Sequence, residues 1–174
     1  MDYPGSVSLG FDTFRDTVID ICACFAAHGS RRFYVLNTGI STLRPLTAAR
    51  EKLASRDIEM RFTDLSAALA PVRAELETQA FGTHADEIET SMMLYIAPET
   101  VRMEHAAVDG ATDRGGGGLS RDPAGRGIYS PTGTYGDPTR ASRAKGERIV
   151  ESLVEFIVAQ VASFASEQVV PISS

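Results

Sequence analysis

FDTFRDTVIDICACFAAHGSRRFYVLNTGIST, residues 11–42, reads as helix, glycine stop, strand and turn, and this order sets the fold class. Phe11, Phe14, Val18, Ile21 (with Cys22) and Phe25 recur at the 3, 4, 3, 4 spacing of one helical face, which predicts a helix over 11–27. Asp12, Asp16 and Asp20 take part of the polar side, and Gly29 stands where a left-handed residue closes a helix. Arg32 to Asn37 is a short apolar run between that glycine and the turn cluster Asn37–Thr42, the signature of a buried strand.

Outward from this unit the alternation continues. A helix is expected over Leu43–Ser55, with Pro45 in the first turn where a missing N–H costs nothing. Ile58, Met60 and Phe62 alternate with polar residues as a second strand. Ser66–Gln79 reads as a helix, and so does the stretch from Ala85, with Ile88, Met92 and Tyr95 on one stripe and Pro98 as its stop. Ser142–Ser166 gives the last helix, with Ile149, Leu153, Phe156, Gln160 and Phe164 on its face. Helices alternating with strands imply an α/β domain with a parallel sheet. Two strands do not make a stable sheet alone, so further strands are expected from another segment or another chain. Between the last two helices, 107–141 holds nine of the fifteen glycines and three of the eight prolines. That composition buries too little apolar surface to offset ordering entropy, and it reads as a long loop that is either functional or mobile, with 107–132 expected to be mobile.

The 174 residues suit one domain, 1–174, with that Gly-rich loop. No stretch reaches the ~20 apolar residues of a membrane span, and MDYPGSVSLG has neither the basic nor the apolar region of a signal peptide. A cytoplasmic protein is the expectation, without membrane partners. A net charge of −6 with scattered arginines argues against nucleic acid, whose phosphates need a basic face. Cys22 and Cys24 point about 200° apart on a helix and cannot pair there. Both are expected as small buried hydrophobes.

The densest polar group is His84-Ala85-Asp86-Glu87-Ile88-Glu89-Thr90-Ser91. Carboxylates in a first turn are favoured by the helix dipole, with Thr83 or His84 as the expected cap. The same residues at a cleft edge suit acid–base or metal chemistry.

Four blocks of the sequence resemble the creatininase family of metal-dependent amidohydrolases. Tyr3-Pro4-Gly5-Ser6-Val7-Ser8-Leu9 is similar to FPGTxSL, and His28-Gly29-Ser30-Arg31-Arg32 through Asn37 to HGxRRxxxxN. His84 through Leu94 is similar to HAGExETSxML, and Tyr135-Gly136-Asp137-Pro138-Thr139 with Lys145-Gly146 to YGDPxxAxxxKG. The resemblance implies a three-layer α/β/α sandwich of creatininase type, here lacking the first strands, and hydrolysis of an amide C–N bond in a small molecule by metal-bound hydroxide. It implies His84 and Glu89 as catalytic residues, Tyr135 and Asp137 as substrate-binding residues, and Asp86 or Glu87 as the remaining metal-ligand candidates.

Two departures accompany it. The family's E-x-H ligands belong to a segment preceding the first block. Its NGHGGN loop, NGHxEN in the creatinine hydrolases, is here Asn37-Thr38-Gly39-Ile40-Ser41-Thr42, so the ligand His falls on Gly39 and the Glu on Ser41. The family uses Zn or Mn. This chain alone is expected to hold neither, to be inactive or incomplete by itself, and to work as a homo-oligomer or with a longer paralogue. The alternative is a non-catalytic interaction or ligand-binding subunit.

Overall fold

The computed structural model describes residues 3–167. The chain divides into two compact units, residues 8–68 with 154–167 and residues 3–7 with 69–153.

In the first unit, α1 (Phe11–Ala26), β1 (Arg32–Val35), α2 (Leu43–Ala54) and β2 (Glu59–Phe62) follow the expected order. β1 and β2 pair in parallel, Arg32 opposite Glu59 and Val35 opposite Phe62, with α2 as the crossover that a parallel pair requires. Their core joins Ile19, Cys22 and Ala26 of α1 to Leu46, Ala49 and Leu53 of α2, with Ile58 and Met60 beneath. The buried stripe of α1 is therefore only partly the expected one, keeping Cys22 and shifting toward Ile19 and Ala26. Phe14 and Val18 flank the core, whereas Phe11, Ile21 and Phe25 are exposed. α1 is apolar on two adjacent stripes, and periodicity alone does not choose between them. The two cysteines part accordingly. Cys22 is buried, which pushes its thiol pKa up, and Cys24 is exposed, contrary to the expectation that both are interior.

Two long helices pass through both residue sets, α3 (Leu65–Leu76) and the 24-residue α5 (Arg143–Ser166). α5 contains an 18-residue window of mean hydropathy 1.5, of which 11% is buried, so by length and composition it could cross a membrane. This corrects the expectation that no stretch approaches that size. Uninterrupted apolar runs were the wrong measure, because Glu151 and Glu155 break the run without lowering its mean hydropathy below that of a span.

The second unit holds α4 (Glu87–Ile96), two 3-10 turns at Pro98–Thr100 and Met103–His105, and the Gly-rich segment. That segment is not a plain loop. β3 (Thr112–Asp113), β4 (Leu119–Ser120) and β5 (Ile128–Tyr129) form a three-stranded sheet in the order β3-β5-β4. Two-residue strands are too short to show alternation, which is why composition hid them. A third 3-10 turn, Pro138–Arg140, leads into α5.

Candidate functional site

α4 begins two residues later than its sequence pattern suggests, because Asp86 caps it. The Asp86 carboxylate accepts from the backbone N–H groups of Ile88 (3.0 Å) and Glu89 (2.9 Å), the bonding of an acidic N-cap. Neither Thr83 nor His84 takes that position. Glu89 completes a box-like arrangement by reaching back to the Ala85 N–H at 2.6 Å. Ala85 has φ 48°, a left-handed conformation uncommon for alanine, and the Glu89 bond helps hold it there.

Beneath this corner lies a buried ionic layer. The second Asp86 oxygen accepts from Gln79 Nε2 (2.6 Å) and Arg73 (3.2 Å). Glu87 accepts from the Thr78 N–H (2.8 Å), the Thr78 hydroxyl (2.8 Å) and the Gln79 N–H (2.7 Å), and it pairs with Lys145. Both carboxylates are fully buried. Burial pushes the Glu87 pKa up, but the Lys145 ammonium and the Thr78 and Gln79 donors outweigh it and hold the carboxyl below its ordinary value. As metal-ligand candidates Asp86 and Glu87 thus differ from expectation, since the oxygens of both are engaged in packing the base of α4.

His84 and Glu89 are the exposed pair. The His84 side chain is 60% exposed, Glu89 is 39% exposed, and His84 Nδ1 lies 3.7 Å from Glu89 Oε2, beyond a direct hydrogen bond. The backbone fixes His84 against Tyr135: the His84 N–H donates to the Tyr135 carbonyl (3.2 Å) and the Tyr135 N–H to that of His84 (2.8 Å). Tyr135 stacks its ring on Phe81 at 5.8 Å. Gly82 permits this approach, because a Cβ there would lie 2.3 Å from the Tyr135 carbonyl oxygen. Asp137 follows in the same strand-like passage, but its carboxylate caps the 138–140 turn through the Thr139 N–H (3.1 Å) and pairs with Arg140 (2.8 Å). Those bonds, the Thr139 hydroxyl foremost, lower its pKa. The structure therefore brings His84, Glu89 and Tyr135 together and gives Asp137 a capping role.

In the other unit, the loop after β1 closes on itself. Asn37 Nδ2 donates to the carbonyls of Gly39 (2.9 Å) and Thr63 (3.2 Å), and the Thr42 hydroxyl lies 2.5 Å from Asn37 Oδ1. Gly39 offers no side chain, and a Cβ there would meet the Thr42 hydroxyl at 3.2 Å.

A cavity of about 450 Å³ opens beside α4, lined by Glu89, Thr90 and Met93 and, across from them, by Val101, Arg102 and His105. Of these only Glu89 was a sequence candidate. The stretch 98–106 has no periodicity, and an arginine and a histidine in irregular chain carry no signal until the chain turns back onto α4.

The family model for creatinine amidohydrolase matches residues 1–161. The chain belongs to the creatininase family. In this creatininase-family chain the fold agrees with solved relatives. A creatinine amidohydrolase (creatininase) crystal structure is 24% identical, with a TM-score of 0.72, covering 95% of this chain and 68% of that one. A glutamate-to-glutamine creatininase variant of the Zn–Zn type is 27% identical, with a TM-score of 0.72, covering 92% and 67%. A mycofactocin precursor peptide peptidase of Mycobacterium ulcerans (strain Agy99) is 24% identical over 160 residues, 92% of this chain. The chain spans 59% of that peptidase's length.

The creatininase neighbours include Zn–Zn and Mn forms. The residues described here do not fit such a centre. Among the described residues no group of three or more His, Cys, Asp or Glu side chains is arranged to hold a metal ion. Asp86 and Glu87 are engaged in the buried layer, and the 37–42 loop, where the sequence resemblance looks for ligands, presents Gly39 and a self-bonded Asn37 and Thr42.

Proposed function

We propose that this chain, taken by itself, is an incomplete creatininase-family amidohydrolase, keeping a small-molecule amide site at the His84–Glu89 corner without the donors for metal-dependent hydrolysis. The single observation that supports it most is the donor chemistry. One exposed imidazole and one half-exposed carboxylate stand 3.7 Å apart, and the neighbouring acids are buried in ion pairs. A catalytic metal needs about three protein ligands and an open position.

Without that charge the corner can orient a ligand and exchange protons with it. His84 offers a ring nitrogen to a leaving amine, and Glu89 offers a carboxylate oxygen to an N–H donor. Acid–base help of this kind supplies roughly 10²–10⁴-fold, against the 10⁶-fold or more that enzymes typically deliver. The relative's name adds peptide amides to creatinine-like ones as ligands to try.

The second reading, a binding or interaction subunit, is supported by the sheet. Among the described residues β1 and β2 have one partner each, and unpaired strand edges invite another chain. We propose association with a second copy or a longer paralogue on that basis.

The test is hydrolysis by the purified 174-residue chain of creatinine and of short peptide amides, with and without added Zn²⁺ or Mn²⁺. No turnover above the uncatalysed rate is expected. Metal-dependent hydrolysis abolished by His84→Ala would overturn the reading.

A further inference from the structure

We infer that the cavity between α4 and the 100–105 segment binds a small ligand carrying a carboxylate, anchored by Arg102 and oriented by Glu89. The inference rests on the amide-ligand reading above and narrows it to amides that are also acids.

The volume, about 450 Å³, lies in the range of small-ligand pockets. Its walls are of two kinds. Ala85, Met93 and Val101 supply an apolar surface, and Met93 is 41% exposed, so its thioether is available to a ligand's carbon skeleton. Arg102 and Glu89 supply opposite charges. The Arg102 guanidinium makes no hydrogen bond or ion pair with any described residue, unlike Arg73, whose guanidinium is held by Glu77 and Asp86. The acid nearest in sequence, Glu104, faces His105 at 3.9 Å instead. An unpaired planar guanidinium at a cavity wall matches a carboxylate, which it binds through two parallel N–H bonds.

Glu89 is held by one oxygen only, Oε2 on the Ala85 N–H, which leaves Oε1 to accept from a ligand. A carboxylate anchor on one wall and an N–H acceptor on the other select a short acid bearing an amide N–H, such as an N-acylated amino acid.

The probes are N-acetyl-leucine and N-acetyl-leucinamide, which differ only in the carboxylate, titrated calorimetrically into the full chain. The acid is expected to bind at least tenfold more tightly than the amide. Arg102→Ala should abolish that preference, and Arg102→Lys should keep part of it, since a point charge replaces the planar fork. Arg102 is exposed, and unchanged thermal unfolding of both variants checks that the fold survives. Equal binding of the two probes, no saturable binding of the acid, or a preference that survives Arg102→Ala would overturn the inference. Turnover of the amides by the wild-type chain would overturn the incomplete-enzyme reading and leave the preference for acids standing.

Discussion

Glu87 is fully buried, yet it is charged, because Lys145 and three donors from Thr78 and Gln79 surround it. Removing one partner of such a pair strands the other. Lys145→Met is therefore expected to cost about 3 kcal/mol, read from urea unfolding. The pH dependence follows in sign. A glutamate whose native pKa is lowered contributes stability above its unfolded-state pKa and loses it as the pH falls through the native value. Glu87→Gln should therefore be clearly less stable than wild type at pH 7, with the gap narrowing as the pH falls through and below the ordinary glutamate range. A gap that stays constant in acid would mean the carboxyl titrates alike in the folded and unfolded chain, and one that widens would mean it is neutral in the folded protein. At this scale the sequence told half the story. His84 and Glu89 are legible because the block around them is dense and specific. The roles of Asp86 and Glu87 are not, because their partners Arg73 and Lys145 lie 13 and 58 residues away and only folding brings them in.

Gly146 lies in the first turn of α5, and a Cβ there would sit 1.8 Å from the Ser91 carbonyl oxygen of α4. In an open helix, glycine to alanine gains about 1 kcal/mol. Here the clash is with backbone, so Gly146→Ala is expected to destabilise by about 2–3 kcal/mol, visible as a lower thermal midpoint. α1 offers a paired check of its chosen face. Ile19 is 4% exposed and Ile21 52%. Ile19→Ala should cost about 2–4 kcal/mol and Ile21→Ala about 0.5 kcal/mol or less. A larger loss at Ile21 than at Ile19 would mean that the helix is turned the other way. The helices themselves were readable from spacing to within one or two residues at most ends. α1's orientation was not, because Phe11, Ile21 and Phe25 form as good an apolar stripe as Ile19, Cys22 and Ala26.

Across the whole molecule, the Gly-rich segment and the metal question remain. The Arg114 N–H donates to the Gly127 carbonyl (2.9 Å) and its guanidinium lies 5.1 Å from the Tyr129 ring centre, whereas Arg121 begins an exposed turn. Limited trypsinolysis should cut after Arg121 before Arg114, the reverse order indicating that the β3-β5 pairing does not hold. Strand order in that segment was illegible because its pairs rest on glycine backbone rather than on patterned side chains. The family was legible, because four short blocks in the right order span the chain, and the Gly39 and Ser41 departures stood out only against it. Those departures and the buried acids make one claim: the described donors do not assemble a metal centre. Its most direct test is elemental analysis of the 174-residue chain after equilibration with Zn²⁺ or Mn²⁺ and removal of free ion. Well under one tightly held metal per chain is expected, unchanged by His84→Ala. One or two metals per chain, lost when His84 or Glu89 is replaced, would contradict it.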